Sequence, residues 1–369
     1  MMADPLMIQP LRFDPSFEQI PDDEAETTRE LVETLRSIIE TTYKDYGHAV
    51  RSVHAKSHGL LQGELEVLAN LPPVYAQGAF ARAGKYPVVM RFSTNPGDIL
   101  DDGVSTPRGL ALKMIGVDGE RLPGSEDAVT QDFVMQNAPA FGAPTPKKFL
   151  GMLKMLAKTT DKAPGMKKAL SAVLRGAESA VEALGGESPT LRNLGGHPKT
   201  HVLGETYYTM VPFLYGPYYA KLSVVPVSAS LTALTDAPVD LDGKPNGLRD
   251  AVNAFFVDNT AQWEVRVQLA TDLDRMPIED ASVKWPEDES PYVTVARLTV
   301  LPQPAWTDAR AAVVDDRLAF SPWQGLSAHR PLGGVMRSRK PAYEMSSAFR
   351  GQHNGCPMHE PRSAEPLPD

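Results

Sequence analysis

The sequence predicts an α+β chain built on an antiparallel β-barrel or sandwich. Two observations carry this fold class. Seven strand-like runs recur between Tyr86 and Val300, separated by proline- and glycine-rich joints. In one of them, Trp263, Val265, Val267 and Leu269 alternate strictly with polar residues, so one face is buried and the other solvated. Short strands with such joints suit antiparallel pairing. Closing them into a barrel would remove exposed edges.

The elements follow in order. Residues 1–24 read as an extended arm, because Pro5, Pro10, Pro15 and Pro21 block regular helix. Asp22–Tyr46 is a predicted packing helix. Leu31, Leu35, Ile38 and Ile39 recur at helical spacing, and two aspartates favour its N-terminus. The predicted strands are Tyr86–Thr94, Gly109–Val117, Asp132–Gln136, Thr206–Pro212, Tyr218–Val227, Trp263–Leu269 and Val293–Val300. Helices are expected over Lys147–Lys158 and Pro164–Leu184, as a cover on the barrel, and over Gly247–Val257. The boundaries expected are an arm and helix (1–46), a barrel (47–304) with a helical insertion (143–198), a closing segment (305–350) and a tail (351–369).

Composition narrows the function. With 42% hydrophobic and 22% charged residues, the chain is neither disordered nor fibrous. Its apolar runs fall short of the roughly 18–20 residues a membrane span needs. A net charge of −9 disfavours a nucleic-acid partner. The single cysteine, Cys356, excludes an internal disulfide and a cysteine-cluster metal site. With no basic-then-apolar leader, a cytoplasmic protein is expected. No glycine-rich phosphate loop, nucleophile elbow or HExxH helix appears. His353, Cys356 and His359 offer three ligands, but in a proline-bearing tail with no fourth nearby, which is expected to be disordered.

Three segments carry more. Arg51–Lys56 (RSVHAK) holds His54. Met90–Thr94 ends a strand with Arg91 and Ser93. Asp132–Phe141 ends another with Asn137. A histidine, a serine and an asparagine on successive barrel elements could converge on one polar pocket.

From about His48 to Arg350 the sequence resembles the heme catalase superfamily. The matching blocks run in order: RSVHAK (51–56), RFST (91–94), PRGLALKM (107–114), DFVMQNAPAF (132–141), the helix and strand at 248–271, VTVARLTVLPQP (293–304) and AFSP (319–322). Arg339, Tyr343 and Arg350 then keep the family's RxxxY spacing, with an arginine seven residues after the tyrosine.

The resemblance implies an eight-stranded catalase-like barrel and a wrapping segment leading to a C-terminal proximal heme helix. It implies heme b (iron) with Tyr343 as the metal ligand, a tyrosinate as in catalase. Free phenols titrate near about 10, so an ionised one needs a cation. Arg339, four residues earlier, shares its helix face. His54 would be the acid–base residue, oriented by Ser93, with Asn137 donating to the peroxide. Arg51, Arg91 and Arg350 would pair with the propionates. Val53 and Phe141 would line the pocket. Val53 stands where lipid-hydroperoxide members tend to have threonine, which favours small peroxides.

The implied activity is that of a small catalase-related peroxidase, running ferryl chemistry on hydrogen peroxide or small organic peroxides with an unidentified small-molecule electron donor. Two alternatives stand beside it: a fatty-acid-hydroperoxide-converting or isomerising enzyme, and a non-catalytic heme-binding module. The sequence departs from the family at Ser347, at Tyr218 and at Gly142, where family residues are a histidine, a histidine and an aromatic. Neither the family's helical domain nor its flavodoxin-like domain is matched after Arg350. A more open heme pocket and a homodimer through the N-terminal arm and helix are expected.

Overall fold

A computed structural model describes residues 9–157 and 196–369. Nine antiparallel strands form one sheet among these residues. They are β1 (Ser57–Val67), β2 (Gly84–Thr94), β3 (Arg108–Ile115), β4 (Thr130–Gln136), β5 (Tyr207–Tyr208), β6 (Phe213–Tyr215), β7 (Tyr218–Pro226), β8 (Ala261–Leu269) and β9 (Val293–Val300). Their order is β5-β4-β3-β2-β1-β9-β8-β7-β6, and β5 also pairs with β7. That pairing closes an eight-stranded barrel, with β6 left as the hairpin partner of β7. The expected barrel is therefore present, and closed.

Alternation along each strand sorts the side chains. Val88, Met90 and Phe92 of β2, Leu110, Leu112 and Met114 of β3, and Phe133 and Met135 of β4 point inward. They meet Leu222, Val224, Trp263 and Val265 in an apolar interior. The other parity of β1–β4 forms the outer face, where Leu60, Val89 and Ile115 pack beneath Val314, Leu318 and Leu367.

Among the described residues the α-helices are α1 (Glu24–Tyr46), α2 (Pro146–Ala157), α3 (Ala229–Thr232), α4 (Gly247–Phe256), α5 (Asp308–Val314) and α6 (Gly334–His353). The predicted apolar stripe of α1, Leu31, Leu35, Ile38 and Ile39, packs against Ala342, Met345 and Phe349 of α6 and Leu150 and Leu153 of α2. Arg337 fixes the start of α6. It bridges Glu18 of the arm, Glu24 of α1 and Glu279. None of the described helices is long and apolar enough to cross a membrane.

Some elements differ from expectation. Strand β1 was not predicted, because Gly59 and Gly63 interrupt its apolar run. Gly63 is required by close packing, since a Cβ there would sit 2.7 Å from the Thr299 carbonyl oxygen. The expected strand Thr206–Pro212 is only Tyr207–Tyr208, because Met210 turns left-handed at φ 61°. The short helix α5 also has no clear sequence signal. The tail, expected to be disordered, lies on the outer face. Glu360 reaches Lys113 at 2.5 Å, and Leu367 is buried. The expected helix Pro164–Leu184 lies outside the described residues.

Candidate active site

Register brings the site together. Ser93 of β2 pairs with Gly109 of β3, and Gly109 with Gln136 of β4. The three form one row across the outer face. His54 lies over this row. A Cβ on Gly109 would come within 2.6 Å of the His54 Nδ1 and Cε1 atoms, so the absent side chain is the ring's seat. Ser93 Oγ lies 3.1 Å from His54 Nδ1, and Gln136 Nε2 lies 3.0 Å from His54 Nε2. The backbone of His54 is left-handed, at φ 54°, and its N–H donates to the Asn95 carbonyl at 2.8 Å. A non-glycine residue held there is strained, a feature that clusters at functional sites.

Burial, reinforced by the Arg91, Arg339 and Arg51 cations, pushes the His54 imidazole down to about 3. The ring is therefore neutral near pH 7 and able to accept a proton. With the Gln136 amide nitrogen donating, Nε2 is the acceptor and Nδ1 carries the proton toward Ser93.

His54 borders a cavity of about 760 Å³, well within the size of small-molecule sites. Tyr343 and Arg339 of α6 line the same cavity. Their side chains meet because they are four residues apart on one helix. Arg339 Nη2 donates to Tyr343 Oη at 2.6 Å. Val53, Phe141, Arg51 and Arg350 complete its predicted lining, with Leu35, Phe149, Met152 and Leu153 of α1 and α2 making an apolar side. Phe141 meets Phe149 edge-on at 4.9 Å.

The arginines form a second cluster at the edge of this cavity. Asp315 Oδ1 accepts from Arg91 Nε at 2.6 Å and from Arg51 Nη1 at 3.1 Å. Arg350 Nη1 donates to the Asp315 carbonyl at 2.6 Å. Burial lowers Arg51 well below the usual guanidinium value, and the neighbouring Arg91 and Arg350 cations lower it further. Burial, with Arg91 beside it, pushes Arg350 down to about 10. Its Nε is buried without a hydrogen-bond partner. Three guanidiniums thus gather around the bonded Asp315 carboxylate, with Asp316 as a second acid nearby.

Not every expected residue faces the cavity. Ser93 and Arg91 stand behind its wall, acting on His54 and Asp315. Asn137 is turned away. Its Oδ1 accepts from the Arg108 N–H at 2.9 Å, and its Nδ2 bonds His197 at 2.7 Å and Glu205. The amide beside His54 belongs to Gln136. Strand parity is the reason: Gln136 shares its face with Val134, and the next residue points the opposite way. His353 stacks on Phe349, and no cluster of three metal-ligating side chains forms among the described residues.

Neither a protein-family model nor a curated protein matches the chain. Solved structures do. A fungal catalase matches with TM-score 0.57 at 16% identity, covering 87% of this chain and 65% of that one. A bacterial catalase matches with TM-score 0.56 at 18% identity, covering 93% and 63%. Catalase A from Saccharomyces cerevisiae matches with TM-score 0.56 at 17% identity, covering 95% and 68%. The fold is catalase-like. The chain spans about two thirds of the length of these catalases.

Proposed function

We propose that the chain is a heme-dependent oxidoreductase that decomposes peroxides. The observation that carries this reading is the Arg339–Tyr343 hydrogen bond of 2.6 Å on the wall of the cavity that His54 also lines.

The residues present fit heme b. Tyr343 Oη is an oxygen donor for ferric iron, and the Arg339 guanidinium hydrogen-bonds it. Arg51, Arg91 and Arg350 outnumber the neighbouring acids Asp315 and Asp316, and propionates would add negative charge there. Phe141 and Val53 offer apolar surface for a macrocycle. Bound heme iron supplies the redox chemistry that breaks a peroxide O–O bond. The chain contributes the proton handling. Neutral His54 takes a proton from the peroxide at Nε2 and returns it to the departing oxygen. Ser93 holds the imidazole through Nδ1, and Gly109 leaves room for it. The electron donor is a small molecule, and the setting this reading favours is the cytoplasm, with the chain as a homodimer.

A second reading concerns the peroxide. The apolar wall built by Leu35, Phe149, Met152 and Leu153 suits a fatty-acid hydroperoxide.

The test is oxygen release from hydrogen peroxide by heme-loaded chain, run beside oxidation of an organic donor. Turnover that falls by at least about 100-fold in His54→Ala supports the reading. Turnover unchanged in that variant counts against it. Faster consumption of a fatty-acid hydroperoxide than of hydrogen peroxide favours the second reading.

A further inference from the structure

We propose that Gln136 caps the proton-accepting nitrogen of His54 and must be displaced by the peroxide before the base can act. This rests on the peroxide reading above.

The geometry is specific. Gln136 Nε2 is 3.0 Å from His54 Nε2 and 3.2 Å from Asn95 Oδ1. An amide nitrogen has two N–H donors, and these two acceptors use both. The nitrogen from which a proton would be received is therefore already hydrogen-bonded.

The ring has little freedom to leave the cap. Gly109 lies against its underside, Ser93 holds Nδ1 at 3.1 Å, and the His54 N–H is bonded to the Asn95 carbonyl. Gln136 instead ends on a flexible side chain and lines the cavity, so it is the member that moves.

The exchange conserves hydrogen bonds. The peroxide O–H replaces the amide N–H at His54 Nε2, and the freed N–H turns to a peroxide oxygen. The O–H bond then breaks toward Nε2, and its electron pair stays on the peroxide oxygen. The cap keeps the base occupied until a ligand able to both donate and accept arrives. Gln136 acts through His54 and is a positioning residue.

The test uses the full chain as purified and needs neither heme nor peroxide. Diethyl pyrocarbonate acylates neutral imidazole nitrogens, and peptide mass spectrometry reports the rate at His54 separately from the exposed His48. Gln136→Leu keeps most of the side-chain volume and removes both donors. His54 should then react roughly five- to tenfold faster than in the wild type, the worth of one hydrogen bond, with His48 unchanged. Equal His54 rates would overturn the proposal.

Should that variant fail to fold, the wild type suffices. Its ¹⁵N-histidine spectrum should show the His54 proton on Nδ1. A proton on Nε2 would mean that Gln136 accepts there, and the cap would be refuted. Peroxide turnover together with equal acylation rates would remove the cap and leave the function. A capped His54 in a chain inert to peroxide would do the reverse.

Discussion

His54 sits on a row of three side-chain positions, Ser93, Gly109 and Gln136, and each sets one property of the base. Gly109 makes the space, so Gly109→Ala should tilt the imidazole off its seat. With the ring held by Ser93 and Gln136, the crowding should cost only about 1–3 kcal/mol of unfolding free energy. Peroxide turnover should nevertheless fall toward that of His54→Ala. Denaturant unfolding and turnover on one preparation check both. The pH dependence follows from burial. An imidazole pushed down to about 3 keeps its neutral, proton-accepting form as pH falls, until pH nears that value. The kcat/KM for peroxide should therefore be flat between about pH 5 and 8. A limb near the free histidine value, about 6.5, would show that the base is not held neutral. At this scale the sequence was partly legible. His54 and Ser93 stood out as polar residues on successive elements, and Arg339 and Tyr343 through the family resemblance. Gln136 did not, because an amide next to another amide is settled only by strand parity. The inward Phe133 and Met135 were the available clue.

At the scale of elements, the outer face of β1–β4 is held down by the closing segment and the tail. Lys113 of β3 is the buried tie. Its Nζ lies 2.8 Å from Asp132 of β4 and 2.5 Å from Glu360 of the tail. Removing the cation would leave the buried Asp132 carboxyl without its partner, beside the partly exposed Glu360. Lys113→Ala should cost about 3–5 kcal/mol by denaturant unfolding. A change near zero would mean that the tail contributes little. Leu367→Ala removes a buried side chain from the same layer and should cost about 2 kcal/mol or more. This layer was hidden in the sequence. The tail's prolines look like disorder signals, and its two anchors, Glu360 and Leu367, acquire meaning only from the Lys113 and outer-face partners they meet. Strand β1 was hidden for a related reason. Its glycines weaken the strand signal, and they are present because β9 and the barrel core press against them. Helix α1 was legible through apolar periodicity, and α6 only through the family resemblance.

At the scale of the molecule, the barrel is a filled scaffold and the candidate chemistry lies outside it. Apolar side chains pack the interior. The cavity forms where the outer face of the barrel meets α1, α2 and α6. This division follows from alternation: the parity that fills the core leaves the opposite parity of the same strands free to carry Arg91, Ser93 and Gln136. The site then depends on how α6 is docked, because Tyr343, Arg339 and Arg350 all ride on it. Its salt bridges to the arm and α1 through Arg337 couple the site to the N-terminal region. The measurement that bears most directly on the account is an absorbance titration of heme into the full chain, wild type beside Tyr343→Phe. One heme per chain is expected for the wild type, with affinity weakened at least about tenfold and an altered spectrum in the variant. Absence of binding, or identical affinity and spectra in the two proteins, would contradict it.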